Sequence, residues 1–271
     1  MPGSSEWSAA VGQAWCDALP GLEATLAPLN PVLADALALA GASHVVDVGC
    51  GGGGFVRYLD EATGADTQIT GIDISDAMIA QARRAGTSAG VRFVCADASR
   101  PVWDEPRADR LTSRFGVMFF EDEAKAFANM RSWLAPGGRF AFAVWGPMEA
   151  NPWMHVVRQA VGAALPLPPF DPGQPGAVRY GEPERLVAQL RRAGFSGLEV
   201  TPWAGHLQLG GGLGARDAAR FGLDAFWADR VPAGGRLHQR IAARLEQDLR
   251  PFEEDGRVDM AALAFVVSGS A

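Results

Sequence analysis

The chain has 271 residues, of which 48% are hydrophobic and 20% charged, and its formal net charge at pH 7 is -7. This composition is typical of a globular protein, and the length suits one large α/β domain or a domain with a cap. The acidic charge argues against a general phosphate-backbone ligand, so we expect no nucleic-acid partner. No apolar run approaches about 20 residues and no secretory pattern opens the chain, so we expect a cytoplasmic protein with no membrane partner.

The cysteines do not indicate a metal site or a disulfide framework. Cys16, Cys50 and Cys95 are far apart and odd in number, so neither zinc-like spacing nor full pairing is available. We therefore predict no metal and reduced thiols. The oligomeric state stays open, with a homodimer among the possibilities.

Residues 1–40 are predicted to form a helical leader before a domain that spans residues 41–271. Tryptophans and leucines in the leader alternate with Pro20, Pro28 and Pro31. This pattern indicates two or three short helices that begin after the prolines, each with one apolar face.

A β-branched run at residues 45–48 ends at a glycine-rich stretch, residues 49–54, and an amphipathic segment follows at once. The pattern predicts a buried parallel strand, a tight turn and the start of a helix. Glycine tolerates positive φ and lets a ligand approach the main chain, while the helix start presents unpaired N–H groups. The turn therefore predicts a site for a nucleotide-like ligand, although tight strand–helix packing alone would also require glycine.

Two acidic residues close the next two predicted strands. Asp73 ends the strand at 68–73, twenty residues after Gly53, where a carboxylate can bind a ribose diol. Asp97 follows the strand at 91–96. Because the carboxyl ends of parallel strands share one sheet edge, we expect one adenosine-containing molecule to bridge the turn and both acids.

Strand and helix patterns alternate from residue 44 to 146, which predicts right-handed crossovers and a doubly wound, mostly parallel, Rossmann-like α/β sheet. The helix at 121–134 is expected to bury Ala124, Phe127 and Leu134. Two further strands are predicted at 109–114 and 138–145. Cap insertions are predicted at 147–180 and 210–255, with a helix at 182–193 and a strand at 197–209 between them, helical residues at 215–250 and a last strand at 260–268.

Four motifs, in order, resemble the class I S-adenosylmethionine-dependent methyltransferases. They are Val-Asp-Val-Gly-Cys-Gly-Gly-Gly, Gly-Ile-Asp-Ile-Ser, Cys-Ala-Asp-Ala and Ala-Pro-Gly-Gly-Arg. The run Ser-Arg-Phe-Gly-Val-Met-Phe-Phe and the Asn-Pro-Trp-Met sequence are similar to a bacterial small-molecule branch related to the ubiquinone and menaquinone biosynthesis methyltransferases. The resemblance implies a seven-stranded sheet with an antiparallel last strand at its edge, and a leader that folds over the cofactor. Packing of the leader against the sheet alone is the alternative.

The resemblance implies S-adenosylmethionine as cofactor and assigns its contacts. The methionine end would meet the glycine turn, Asp47 and Ser113, the ribose would meet Asp73, and the adenine would meet the segments that follow strands two and three. The implied cofactor-binding residues are Asp47, Gly49, Gly51, Asp73, Ile74, Met78, Asp97, Ala98 and Ser113. For Asp47 and Met78, loop bracing and core packing are equally good explanations.

The substrate side depends on aromatic residues after strands four and five and in the leader and insertions. Such residues suit a planar apolar small molecule, or an amine held by cation–π contact. The candidate substrate-binding residues are Trp7, Trp15, Arg114, Phe115, Phe119, Trp145 and Trp153, and Trp203 and Trp227 could reach the same space. Arg114 could instead pair with a buried carboxylate such as Asp122.

We therefore predict methyl transfer to a small aromatic or isoprenoid-like molecule of secondary metabolism, with an oxygen, nitrogen or carbon acceptor. His155 and His206 are the candidate general bases, with Glu121 behind them, although an electron-rich carbon acceptor would need no strong base. The alternatives are a non-methylating cyclisation or decarboxylation, a non-catalytic cofactor-binding protein, and a nicotinamide-dependent oxidoreductase. The chain has no Tyr-x-x-x-Lys motif, which argues against the last alternative.

One stretch departs from the branch. Asp109-Arg110-Leu111-Thr112 replaces the more apolar strand that is usual there, and Arg110 lies within it. This arginine should lie near a strand end or find a carboxylate, or the register of this strand differs by one or two residues.

Overall fold

The computed structural model describes residues 10–100, 107–169 and 171–271, with side chains from residue 15 onward. Within these residues, seven strands form one continuous sheet in the order β3-β2-β1-β4-β5-β8-β6, and the short β7 pairs with β8. The strands are β1 His44–Val48, β2 Gln68–Asp73, β3 Val91–Cys95, β4 Ala108–Arg114, β5 Leu134–Trp145, β6 Ser196–Gln208, β7 Glu253–Glu254 and β8 Arg257–Ser270. The predicted Rossmann-like α/β class is confirmed.

Helices surround this sheet. They are α1 Ala10–Leu26, α2 Asn30–Leu37, α3 Gly54–Thr63, α4 Asp76–Ala85, α5 Glu123–Trp133, α6 Pro152–Gly162, α7 Pro183–Arg192, α8 Ala215–Phe226 and α9 Arg236–Leu249. The helical segment predicted at 215–250 is two helices, α8 and α9, joined by a turn that contains proline and glycine. None of the helices in the described ranges has the length and apolar character that a bilayer span requires.

Strands β1 to β5 run parallel and deliver their carboxyl ends to one edge. All five residues of β1 are buried, because helices cover both faces of a parallel sheet. Arg110 lies near the start of β4, where its guanidinium donates to the carbonyl of Ala38 at 2.8 and 3.0 Å. Its closest approach to a carboxylate is 3.8 Å, to Asp109, so main-chain carbonyls solvate this charge within the predicted register.

The last strand is antiparallel as expected, but its predicted place at the sheet edge is wrong. β8 lies between β5 and β6 and pairs antiparallel with both. Residues 264, 266 and 267 of β8 are almost fully buried, whereas most of β6 is exposed or half-buried. The more apolar strand therefore takes the interior position, and β6 forms the edge.

The leader contains one long helix where the prolines predicted a break. Pro20 lies inside α1, although an interior proline loses a helix hydrogen bond at a cost of about 3 kcal/mol. Contacts along α1 offset this cost, including Trp15 against Phe226 and the thiol of Cys16 against Met78. Pro31 lies in the first turn of α2, which begins at Asn30, one residue before this proline and not after it as predicted.

The helix predicted at 121–134 begins two residues later than expected, which changes its buried face. The Asp122 carboxylate accepts the N–H of Lys125 at 3.0 Å and caps α5. Ala124 therefore lies in the exposed first turn, and its predicted burial is wrong. The buried residues of α5 are Ala126, Phe127, Met130 and Trp133.

The first insertion docks on α5 through a half-buried carboxylate. Glu123 accepts the hydroxyl of Tyr180 at 2.6 Å, accepts the side-chain amide of Gln189, and lies 3.2 Å from Nε of Arg179. Arg179 also donates to the carbonyl of Phe120. These contacts hold the end of the insertion against the segment that follows β4.

Candidate functional site

The glycine turn, residues 49–53, crosses the carboxyl end of β1 with three left-handed residues. The φ angles of Gly49, Gly51 and Gly53 are 70°, 53° and 77°. A Cβ on Gly49 would lie 2.8 Å from Cα of Gly116, whereas a Cβ on Gly51 would meet nothing within 4 Å. Packing therefore requires glycine at position 49, while position 51 faces open space.

Asp73 lies beside this turn. One carboxylate oxygen accepts the N–H of Gly51 at 2.8 Å and the other accepts the N–H of Ser75 at 2.8 Å. Burial raises the pKa of Asp73, although these main-chain donors oppose the shift. The structure thus brings the first predicted acid and the glycine turn together.

Asp97 follows β3 at the same sheet edge. Its carboxylate accepts the N–H and the hydroxyl of Ser99 at 2.8 and 2.7 Å, and lies 3.3 Å from Nε of Arg100. The neighbouring Ala98 is buried, and its carbonyl accepts the side-chain amide of Asn129 at 2.8 Å. The second acid is therefore held in a braced turn beside the end of β2.

Two apolar residues after β2 were expected near the same ligand. Ile74 is half-buried, and its carbonyl accepts the thiol of Cys95 at 3.5 Å. Met78 is buried on α4, with the thiol of Cys16 from α1 3.7 Å from its sulfur. The leader thus reaches the α4 side of the site.

Asp47 is an uncompensated acid inside β1. It is 1% exposed, and its Oδ1 has no hydrogen-bond partner among the described residues. Burial raises its pKa to about 8, the guanidinium of Arg114 opposes this shift, and the carboxylates of Glu23 and Asp73 add to it. With a pKa of about 8, this carboxyl group is mostly protonated near neutral pH in the ligand-free protein, despite the guanidinium of Arg114.

Ser113 connects β4 to the glycine turn. Its hydroxyl donates to the carbonyl of Val48 at 2.6 Å and accepts the N–H of Gly116 at 3.1 Å. Both bonds are internal to the protein, so Ser113 fixes the positions of the two segments that meet at Gly49.

Arg114 pairs with a carboxylate of the leader and not with Asp122. Its guanidinium binds Glu23 and donates to Oδ1 of Asn30 at 2.8 Å, over the ring of Phe55. The alternative partner named from the sequence is wrong because Asp122 caps α5. Sequence reasoning missed Glu23, a single acid on the α1 face that also carries Leu19, Leu22 and Leu26, although an acid at such a position signals a buried partner.

The same face of α1 covers the glycine turn. A Cβ on Gly52 would lie 2.2 Å from Cδ2 of Leu19, and a Cβ on Gly54 would lie 1.9 Å from Oε2 of Glu23. The glycines therefore permit a helix to lie directly against this main chain.

Aromatic rings from five segments meet beside the turn and form what we call the aromatic cluster. Phe115 stacks on Trp145 with centroids 4.0 Å apart, Trp145 meets Trp153 edge to face at 5.4 Å, and Trp153 lies 5.1 Å from Phe226. The remaining members are Trp15 and Phe221, whose ring centroids lie 6.4 and 6.0 Å from that of Phe226. Four of the predicted substrate-binding residues are thus in one group.

Phe115 has a φ of 67°, a left-handed conformation that is costly for a bulky residue. Its N–H donates to the carbonyl of Ala143 at 3.0 Å, which holds the strained main chain against β5. Strain of this kind concentrates at functional sites.

Other predicted residues lie elsewhere. His155 is exposed on α6, and His206 lies on the edge strand β6, where its ring pairs with the carboxylate of Asp259. Phe119 is half-buried in the turn after β4, and Trp7 lies outside the described residues. Trp203 and Trp227 are half-buried, and the neighbouring residue Phe226 belongs to the aromatic cluster. In the described residues, no group of three or more His, Cys, Asp or Glu could hold a metal ion.

Comparisons with known proteins find similarity in the region of the glycine turn. The family described as "Methyltransferase domain" matches residues 46–142, which contain the glycine turn, both strand-end acids and β4. Phosphoethanolamine N-methyltransferase 1 of Triticum aestivum is 36% identical over 107 residues, which are 39% of this chain. The match covers 21% of that relative, so the similarity concerns one part of a longer protein.

A second relative matches over most of its length. Demethylmenaquinone methyltransferase of Thermus thermophilus is 34% identical over 165 residues, 56% of this chain and 74% of that protein. Among solved structures, the [4+2]-cyclase SpnF covers 99% of this chain and 97% of its own at a TM-score of 0.58 and 19% identity, which shows the shared fold. The glycine turn with its two strand-end acids, together with the extent of the Thermus match, establishes that this chain belongs to the class I S-adenosylmethionine-dependent methyltransferases, among those related to quinone-biosynthesis enzymes.

Proposed function

We propose that this protein transfers the methyl group of S-adenosylmethionine to a small, planar aromatic or isoprenoid-like molecule that binds at the aromatic cluster. The observation that carries the proposal is the position of Phe115. Its ring stacks on Trp145, while the next residue, Gly116, contacts Gly49 of the glycine turn. A flat acceptor among these rings would lie beside a donor held by the turn.

The residues around the turn suit the cofactor. Oδ1 of Asp47 is an unused buried acceptor that an ammonium group would satisfy, and the space beside Gly51 admits a ligand against the main chain. Asp73 would bind the ribose hydroxyls, and the braced turn at Asp97 and Ala98 would bind the adenine edge. When bound, S-adenosylmethionine supplies an electrophilic methyl group on a sulfonium.

The protein's own contribution would be alignment and exclusion of water. Such positioning of two reactants can supply about 7–11 kcal/mol of a reaction barrier. We propose residues 1–40 as the lid, because α1 covers the turn with Leu19 and Glu23 and reaches the cluster with Trp15. His155 and His206 stay candidates for proton removal, but both are exposed at the surface, so the proposal does not depend on a histidine base.

Cofactor binding tests the first half of the proposal. Calorimetry with S-adenosylhomocysteine should show that Asp73→Ala and Asp97→Ala each weaken binding by about 1–3 kcal/mol, the range for lost buried hydrogen bonds. Asp66→Ala, which changes an exposed acid near the start of β2, is the matched control and should bind as the unaltered protein does. Full affinity in both site variants would contradict the assignment.

Product mass tests the second half. An aromatic acceptor turned over by this protein should gain one methyl group, and S-adenosylhomocysteine should appear in equal amount. A changed acceptor of unchanged mass would favour cyclisation, and an acceptor that loses carbon dioxide would favour decarboxylation.

A further inference from the structure

The aromatic cluster contains a polar atom for which the described part of the chain supplies no partner. Trp153 is 7% exposed, and its indole Nε1 finds no hydrogen-bond partner among the residues that the structure describes. An indole nitrogen is a donor only, so only an acceptor can satisfy it. A buried donor left unpaired costs about 1–3 kcal/mol.

The same segment satisfies its other buried polar side chain completely. Two residues earlier, the Asn151 amide donates to the carbonyls of Pro147 and Leu263 at 3.0 Å each, and its oxygen accepts the N–H of Leu263 at 3.1 Å. The start of α6 is therefore fixed in place by Asn151, and local disorder does not explain the unpaired indole. Most buried donors in folded proteins are paired, so this one requires a separate explanation.

The neighbours of Trp153 in the cluster are rings. Trp145 meets it at 69° between planes and Phe226 at 46°. A ring face attracts an N–H group only weakly compared with a carbonyl oxygen. Trp145 stacks in turn on Phe115, whose chain segment contacts the glycine turn, so the unpaired donor belongs to the same site as the proposed methyl donor.

We propose that Nε1 of Trp153 donates a hydrogen bond to the carbonyl oxygen of a planar aromatic acceptor molecule and so fixes its orientation. The inference rests on the proposed function, because it names the substrate class of that site. The rings of the cluster make the surroundings of this nitrogen apolar, and the indole supplies one donor. A ketone or quinone oxygen only accepts and is satisfied there, whereas a hydroxyl would bring a donor that also needs a partner.

A matched pair of probes isolates this hydrogen bond. 2-Acetylnaphthalene and 2-isopropenylnaphthalene have the same shape, but only the first carries a carbonyl oxygen. Each is titrated into protein saturated with S-adenosylhomocysteine, and the indole N–H signals are followed by two-dimensional proton–nitrogen NMR. Trp153→Phe identifies the Trp153 signal by its disappearance and keeps an aromatic ring at the position.

The ketone is expected to move the Trp153 indole proton downfield and to bind about three- to tenfold more tightly than the alkene, the range for one net hydrogen bond. Trp153→Phe should abolish that difference, and Trp227→Phe, which removes an indole outside the cluster, should keep it. Equal affinity of the two probes, an unmoved Trp153 signal or failure of the ketone to bind would each overturn the inference.

Failure of the inference is separable from failure of the proposed function. S-adenosylhomocysteine affinity is measured on each variant without any probe. Normal cofactor affinity with no preference for the ketone refutes the role of Trp153 alone. If the unaltered protein does not bind S-adenosylhomocysteine, the proposed function itself is refuted.

Discussion

Asp47→Asn should stabilise the cofactor-free protein increasingly as pH rises, although it alters a proposed cofactor contact. The carboxyl group is 1% exposed, and its folded pKa is raised to about 8, mainly by burial. Asparagine has a similar shape, but its side-chain amide does not gain or lose a proton in this pH range. The difference between the two proteins therefore isolates the proton on Asp47.

The sign follows from the direction of the shift. In the unfolded chain an aspartate ionises near pH 3.9, roughly 4 pH units below the folded value. Between these two values the unfolded state alone releases the proton, so the contribution of Asp47 to folding falls by about 1.4 kcal/mol per pH unit and levels off above the folded pKa. From about pH 5 to about pH 7.5 the loss is roughly 3 kcal/mol.

Urea unfolding of both proteins at these two pH values measures the effect. A buried amide carries its own cost, but that cost is the same at both pH values and cancels when the two differences are compared. The Asn variant should gain roughly 3 kcal/mol on the unaltered protein between about pH 5 and about pH 7.5. Asp66→Asn, at an exposed acid, should show no such gain.

A pH-independent difference would refute the reasoning. It would mean that Asp47 is ionised in the folded protein and that the guanidinium of Arg114, which opposes the shift, outweighs desolvation. An acid paired with Arg114 would then be unavailable to a ligand ammonium group.

Further predictions concern the same region. Binding of S-adenosylhomocysteine near pH 7 should release up to about one proton from Asp47, as calorimetry in buffers of different ionisation enthalpy would measure. Asp47→Asn should abolish this release. Glu23→Gln should destabilise the fold by about 1–3 kcal/mol and speed hydrogen exchange in α1, because a buried arginine loses its carboxylate, whereas exposed Glu61→Gln should do neither. Gly51→Ala should cost about 1–2 kcal/mol of stability, as should Gly41→Ala at the other end of β1, but only the former should weaken cofactor binding, by about tenfold or more. Equal effects within either pair would contradict these roles.

The sheet-edge part of the site was predictable because it follows from periodicity. A β-branched run that ends in glycines and two strands that end in acids must deliver these residues to one edge, since parallel strands share their direction. The hydrogen bond from the Gly51 N–H to Asp73 realises that expectation. The bounds of β1 to β4 agree with the pattern within one residue for the same reason.

Contacts between elements distant in the chain were not predictable. Nothing local in the sequence pairs Glu23 with Arg114, because the choice of partner depends on how α1 lies across the finished sheet. Pro20 misled for a related reason, since tertiary packing outweighed a local helix-breaking preference. Phe226 was not predicted as a cluster member, because its contacts depend on how the end of α8 packs against α1 and α6.

Two buried atoms in this region have no hydrogen-bond partner among the described residues, and each carries a cost to stability. Oδ1 of Asp47 is an acceptor that a cation would satisfy, and Nε1 of Trp153 is a donor that a neutral oxygen would satisfy. Their opposite character fits the two ligands of the proposed function, a methyl donor on the glycine turn and an acceptor molecule at the aromatic cluster. Phe115 follows β4 directly, and the next residue, Gly116, contacts the turn at Gly49. A core selected for stability alone would pair these groups or replace them with apolar ones. In the proposed function each group stays unpaired until its ligand binds and satisfies it.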